Sequence, residues 1–197
     1  MNRFEQLEKM AKENSGVLIA NAAVEAGISR TSLADFVRKN EYERVGRGVY
    51  CSPECWRDEL YLLQLRCPKT VYSHETALFL LDMTDQEPMQ YTVTANNGYN
   101  PSHLSAKGIK VFTVKKDLFD LGLTELDTPF GHTVSVYGLE RTLCDMIRSR
   151  NEMEIRSVQE ALKQYARRKD KNLHKLMEYA KLFHIDKRLN QYLEVLL

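Results

Sequence analysis

Five cations, Arg30, Arg38, Lys39, Arg44 and Arg47, and three hydroxyls, Ser29, Thr31 and Ser32, fall in one short stretch of a 197-residue chain. These types suit nucleic acid. A guanidinium offers paired donors to guanine, hydroxyls reach bases or phosphates, and lysine or arginine neutralises phosphate. Such side chains need an element that carries them into a groove. The residues between and before them supply one: Ala23, Gly27, Leu33 and Phe36 read Ala-x3-Gly-x5-Leu-x2-Phe.

That spacing meets the demands of a helix-turn-helix. Ala23 is small where a second helix must pack, Gly27 suits a bend that needs positive φ, and Leu33 and Phe36 anchor the second helix inward. Ile28 adds an apolar plug after the turn. Ser29 is expected to cap a helix from Arg30 to about Asn40, with Leu33, Phe36 and Val37 on its inner face. Arg30, Thr31, Ser32, Asp35 and Arg38 then lie nearer the outer side. Arg30 is placed to read guanine, Thr31 or Ser32 to contact bases or phosphates, and Arg38 and Lys39 to meet backbone. Asp35 opposes a phosphate-facing surface and is spaced to pair with Arg38 or Lys39.

Around this motif the pattern predicts a helix over residues 2–13, with Phe4, Leu7, Met10 and Ala11 at helical spacing, broken by Gly16. A second helix runs through Ile19, Ala22, Ala23 and Val24 to Ala26. Tyr42 to Tyr50 reads as a hairpin around Gly-Arg-Gly, a wing with Arg44 on one strand and Arg47 at its tip. An ordinary helical hairpin with solvated charges is the alternative, and the basic wing counts against it. Ser52-Pro53 marks a boundary, which gives a winged helix-turn-helix at 1–53 and a second, mixed α/β domain at 54–197 ending in a helical bundle-like tail. The fold class is α+β.

In the second domain, helices are expected at 58–65, from Ser73 to Leu81, and at about 139–148, 154–168, 173–183 and 187–196. Strands are expected at 91–94 and 109–114, with a hairpin of 123–127 and 133–137 around Pro129-Phe130-Gly131. On the helix at 154–168, Arg156, Lys163 and Arg167 share one face, and Arg168 follows. Between residues 148 and 175 nine Lys/Arg stand against four Asp/Glu. This basic stripe is either a second nucleic-acid surface, a patch for an acidic partner, or a solvated face.

Net charge is +1, so any basic surface must come from local clustering. No apolar run is long enough to span a membrane and no leader-like segment opens the chain, so a cytoplasmic location is expected. The four cysteines, Cys51, Cys55, Cys67 and Cys144, are then expected to be reduced. Cys51-x3-Cys55 holds two zinc-capable thiols with no second pair after it, so no metal and no cofactor are expected. Glycine-rich phosphate loops, His-Glu-x-x-His and nucleophile elbows are missing from the sequence. Glu140 and Asp145 are nuclease-type residues, but five positions apart they point about 140° from each other on a helix, and Arg141 invites a salt bridge instead.

The stretch Ala23 to Tyr50, AVEAGISRTSLADFVRKNEYERVGRGVY, resembles the N-terminal winged helix of the AbiEi antitoxin family. Ser73-His74-Glu75-Thr76-Ala77-Leu78 and the stretch from Val136 to Asp145 resemble two recurring segments of that family's second domain. The resemblance implies an antitoxin of a type IV toxin–antitoxin pair in phage abortive infection. Such proteins repress their own operon by binding upstream repeats, and they counter a nucleotidyltransferase-like toxin without an obligatory stable complex. It implies DNA-reading positions at Ser29 to Ser32, Arg38, Arg44 and Arg47. Glu140, Arg141, Thr142 and Asp145 match the second-domain motif without an assigned chemical role. The expectation is therefore a non-enzyme whose partners are double-stranded operator DNA and a toxin. The alternative is a nucleic-acid-processing enzyme targeted by its winged helix.

Overall fold

Asn2 opens the first helix by a reciprocal cap. Its side chain accepts from the Phe4 N–H at 3.4 Å, and its own N–H donates to the Glu5 carboxylate at 2.8 Å. The computed structural model describes residues 2–196; Met1 and Leu197, the outer ends of the two expected domains, lie outside the described residues. Helix α1 (Arg3–Glu13) buries Leu7 and Ala11. Strand β1 (Val17–Ile19), helices α2 (Ala20–Glu25) and α3 (Arg30–Lys39), and strands β2 (Glu43–Gly46) and β3 (Val49–Cys51) follow. The three strands form one sheet in the order β1-β3-β2, antiparallel throughout. This is a winged helix-turn-helix.

In this region of the chain one strand stands where the sequence reading places helix. Ile19 ends a strand rather than lying in the second helix, and Val17–Ile19 pairs with the wing through Val17↔Cys51 and Ile19↔Val49. Three apolar residues carry no period long enough to separate strand from helix. Their strand state is set by the partner, some thirty residues on.

The chain folds as two compact units, and the first runs past the boundary expected near Ser52-Pro53. It extends to Pro68 and takes in Asp127–Val134. Helix α4 (Glu59–Arg66) belongs to it, because Leu62 packs with Val17, Val49 and Cys51 in one apolar cluster joined by Tyr61 and Leu65. Asp58 caps α4 by accepting the Tyr61 N–H at 3.1 Å. The same carboxylate takes the Thr128 hydroxyl at 2.5 Å and pairs with His132 Nδ1 at 2.8 Å, while Tyr61 stacks on the His132 ring at 4.2 Å. Asp58 and His132 are both buried, so this pair fastens 127–134 into the first unit.

The second unit carries a five-stranded sheet of order β6-β5-β4-β8-β7. Its strands are β4 (Thr70–Tyr72), β5 (Thr92–Asn96), β6 (Lys110–Val114), β7 (Leu123–Asp127) and β8 (Thr133–Tyr137). β5 runs parallel to β6 and antiparallel to β4, which is parallel to β8. Helix α5 (His74–Leu80) follows β4, and the short α6 (Ser102–Ser105) precedes β6. Helices α7 (Leu139–Arg148), α8 (Ile155–Arg167), α9 (Leu173–Leu182) and α10 (Asp186–Leu196) form the helical tail, at the places the sequence periodicity gives. Leu143, Met146, Ile147, Leu162, Leu176 and Leu189 are the centre of their core.

The Glu140–Asp145 motif builds this core. Arg141 is fully buried and donates through Nε to Asp145 at 2.8 Å and through Nη1 to the Leu118 and Leu121 carbonyls at 2.7 and 2.5 Å. Its guanidinium lies 3.9 Å from the Tyr137 ring centre and 4.7 Å from that of Phe183. A Cβ on Gly122 would stand 2.6 Å from the Arg141 Cβ, and Gly122 has a φ of +72°, so glycine is needed there twice over. The Thr142 hydroxyl donates to the Tyr137 carbonyl at 3.0 Å.

His74 is also fully buried, bonded to Ser73 Oγ at 2.9 Å and Ser149 Oγ at 3.2 Å, with its ring stacked on Phe112. Burial holds its pKa well below the ordinary histidine value, and Arg148, Lys110 and Arg141 add to the effect. Below pH of about 6.5 the unfolded chain takes up a proton that the native ring refuses. The contribution of His74 to stability is thus complete above that pH and falls as the pH drops, by at most about 1.4 kcal/mol per pH unit. His74→Asn, which tolerates the φ of +52° at this position, should flatten the decline of the denaturation midpoint between pH 6.5 and 5. Equal pH slopes in variant and parent would refute this.

Candidate nucleic-acid interface

The interface begins from a buried scaffold. Ala23, Leu33, Phe36, Leu7 and Ile28 form one cluster, each at most 4% exposed. Phe36 meets Phe4 edge-on at 5.4 Å and Tyr42 at 5.6 Å. Gly27 turns the chain between α2 and α3 with a φ of +83°, as the motif requires, and the Ile28 N–H donates to the Ala23 carbonyl at 2.9 Å. Ser29 caps α3 by accepting the Ser32 N–H at 3.1 Å, and the two hydroxyls stand 2.9 Å apart. Removing this cap would cost about 1 kcal/mol.

With one side of α3 buried, Arg30, Thr31, Asp35, Arg38 and Lys39 are left exposed, and Ser32 is half-buried. The Arg38 guanidinium donates to the Asp35 carboxylate at 2.9 Å. Lys39 Nζ lies 5.7 Å from the Phe4 ring centre, which draws it back toward α1. Serines 29 and 32 are partly engaged with each other, so each has fewer bonds to offer a ligand than the sequence suggests.

The wing is braced on its underside. The Ala20 N–H donates to the Gly48 carbonyl at 2.7 Å, tying the turn to the start of α2. The register slips between Arg44 and Gly46, a bulge at Val45 that increases local twist. Gly46 leaves room for the Arg66 side chain of α4, which would come within 2.8 Å of a Cβ there. Arg44 is exposed with Nε donating to the Gly46 carbonyl at 3.2 Å, and Arg47 is exposed at the tip. Arg57 pairs with Glu43 at the other end of β2. Beneath the sheet, burial and a hydrogen bond donated by the Cys51 thiol to Cys55 push the Cys51 thiol up to about 12, so it packs as a neutral side chain. None of the four cysteines is in a disulfide. Among the described residues no three His, Cys, Asp or Glu side chains gather as metal donors.

The second unit's basic stripe is partly neutralised. Arg156 pairs with Glu160 at 2.9 Å and Arg168 with Asp170 at 2.7 Å. Lys163 and Arg167 stand exposed, without an ion-pair partner among the described residues. A cleft of about 350 Å³ in the same unit is lined by Glu75, Glu87, Glu154 and Glu160 against Lys110. That charge balance repels a polyanion. Glu140 and Asp145 do not converge. Glu140 takes the Tyr165 hydroxyl at 3.2 Å and Lys175 at 3.6 Å, whereas Asp145 holds Arg141 at 2.8 Å and Arg148 at 3.3 Å. Among the described residues no helix is long and apolar enough to cross a membrane.

Residues 5–53 match the family model described as transcriptional regulator, AbiEi antitoxin. No curated protein matches the chain. Its fold is similar to the crystal structure of the RV2827C protein from Mycobacterium tuberculosis, at a TM-score of 0.60 and 13% identity. That likeness covers 92% of this chain and 72% of the other, and it concerns the fold.

If the wing meets phosphate, each wing arginine adds one counterion-releasing contact. Arg44→Ala and Arg47→Ala should each lower affinity on every duplex and flatten the slope of log K against log salt by about one unit. A slope unchanged in both variants would separate the hairpin from DNA.

Proposed function

We propose that this protein, whose residues 5–53 match the family model described as transcriptional regulator, AbiEi antitoxin, is the antitoxin and autorepressor of a type IV toxin–antitoxin operon. Its first unit binds operator DNA upstream of its own gene. Its second unit counters a nucleotidyltransferase-like toxin in phage abortive infection, without a stable complex. The observation that carries the reading is the exposure of α3 and the wing tip on a buried framework. α3 is anchored from behind by Leu33 and Phe36, and Arg30, Arg38, Arg44 and Arg47 all reach solvent. The N-terminal end of such a helix meets base edges in the major groove, so Arg30 and Thr31 enter first, with Ser29 and Ser32 beside them and Lys39 toward the backbone. The protein acts in the cytoplasm and needs no cofactor. Lys163 and Arg167 of α8, with Arg156 and Arg168 free to exchange their surface partners, offer a weaker second surface for nucleic acid.

The reading as a nucleic-acid-processing enzyme asks Glu140 and Asp145 to act together. They face different partners, and Asp145 is buried under Arg141, so we assign the motif to the framework of the second unit and catalysis to no residue.

Cutting the chain near Glu54 would strip the wing of the α4 side chains that pack beneath it. Repression and antitoxicity are therefore best separated by substitution in the full chain. Arg30→Ala should weaken binding to the DNA upstream of the gene by about 1–3 kcal/mol, with a smaller change on random duplex. Combined with Arg47→Ala, it should derepress a promoter reporter while still rescuing growth against the toxin of the same operon. Loss of rescue in step with repression, in a folded double variant, would show that one surface serves both functions.

A further inference from the structure

The exposed face of α3 has a centre, and a charge pair of opposite signs occupies it. At about 100° per residue, Thr31, Asp35 and Arg38 fall within about 35° of the direction opposite Leu33, Phe36 and Val37, while Arg30 lies more than about 100° from it. The Asp35 and Arg38 side chains are 53% and 84% exposed, and they are joined at 2.9 Å. The sequence alone places Arg38 late in the helix, where backbone contact is expected. Its angular position places it on the ridge that points furthest from the buried face of the helix. From Thr31 to Arg38 the ridge covers about 10 Å of helix axis, which is roughly three base-pair steps.

We propose that Asp35 and Arg38 form a base-reading pair that sets operator specificity, Arg38 on guanine and Asp35 on the amino group of a neighbouring cytosine. The inference rests on the DNA-binding reading given above. Arg38 spends one Nη2 hydrogen on Asp35 Oδ1, which fixes the guanidinium plane and leaves other donors for guanine N7 and O6. Asp35 keeps Oδ2 free as an acceptor. In a groove walled by phosphates a carboxylate is repelled unless a base offers it an N–H. It therefore gains at cytosine N4 and is rejected where a base presents a carbonyl oxygen. A carboxylate on this ridge thus lowers general affinity for DNA and raises the ratio of specific to non-specific binding.

The test is a selection of binding sites by the full chain from a random-sequence duplex library, run with the parent and with Asp35→Ala, Asp35→Asn and Arg38→Ala, each checked for an unchanged melting profile. The parent should enrich a site in which a G·C pair adjoins a position with cytosine. Asp35→Ala should lose discrimination at that position by about 5- to 150-fold, yet bind random duplex more tightly than the parent. Asp35→Asn should move the preference there toward adenine, whose N6 and N7 match an amide. Arg38→Ala should lose the guanine. If Asp35→Ala and Asp35→Asn enrich the parent's site unchanged, the pair is a surface ion pair and the proposal is overturned, while DNA binding stands. If the parent enriches no sequence, the DNA-binding reading fails and this proposal fails with it.

Discussion

The seating of α3 by Leu33 and Phe36 is the constraint on which the first unit depends. Both side chains are at most 4% exposed, and together they fix the rotation of the helix about its axis. A rotation of one residue would bury a charge and expose an aromatic ring, at a cost of several kcal/mol. Everything outward follows from that lock: which cations reach solvent, why Asp35 stands at the outermost ridge, and why Lys39 folds back over Phe4. Ala23 and Gly27 supply the close approach and the bend, and α1 closes the cluster through Leu7 and Phe4. The wing is fixed by the same economy of contacts, with one hydrogen bond from Ala20 to Gly48 at the tip and α4 beneath.

The second unit rests on a buried charge. Removing an arginine from water is expensive, and the cost at Arg141 is offset through Nε on Asp145, through Nη1 on two backbone carbonyls and by two aromatic faces, while Nη2 is left without a hydrogen-bond partner. The carbonyls belong to Leu118 and Leu121, so the guanidinium fastens the segment before β7 to α7. This network places Glu140, Arg141, Thr142 and Asp145 in the framework of the unit.

The elements with enough length to show a period were legible. Helices α1, α3 and α7 to α10, the wing, and the β7–β8 hairpin stand where alternation and helical spacing place them. A salt bridge at Arg141 and a pairing of Asp35 with Arg38 or Lys39 were legible; the structure gives Arg141–Asp145 and Arg38–Asp35, and nothing in the spacing tells that the first is buried and the second is not. What the sequence hid is non-local. Strands β1 and β4 have three residues each and acquire their state from partners far along the chain. Helix α4 reads as the start of a second domain after Ser52-Pro53, yet its apolar face covers the wing sheet. His132 meets Asp58 across 74 residues, a pairing that no local pattern announces. The candidate cations and hydroxyls of α3 and the wing stand exposed, apart from the half-buried Ser32, but spacing alone did not show that Ser29 and Ser32 engage each other or that Lys39 folds toward Phe4.

The central claim is that this chain reads a particular duplex through α3 and the wing. The direct measurement is the affinity of the full chain for the DNA upstream of its own gene and for a shuffled duplex of equal length and composition, across a range of salt concentrations. The account predicts tighter binding to the upstream DNA by about a thousandfold or more at physiological salt, with log K falling linearly in log salt on both duplexes. Equal affinity for the two duplexes throughout the salt range, or no measurable binding to either, would contradict it.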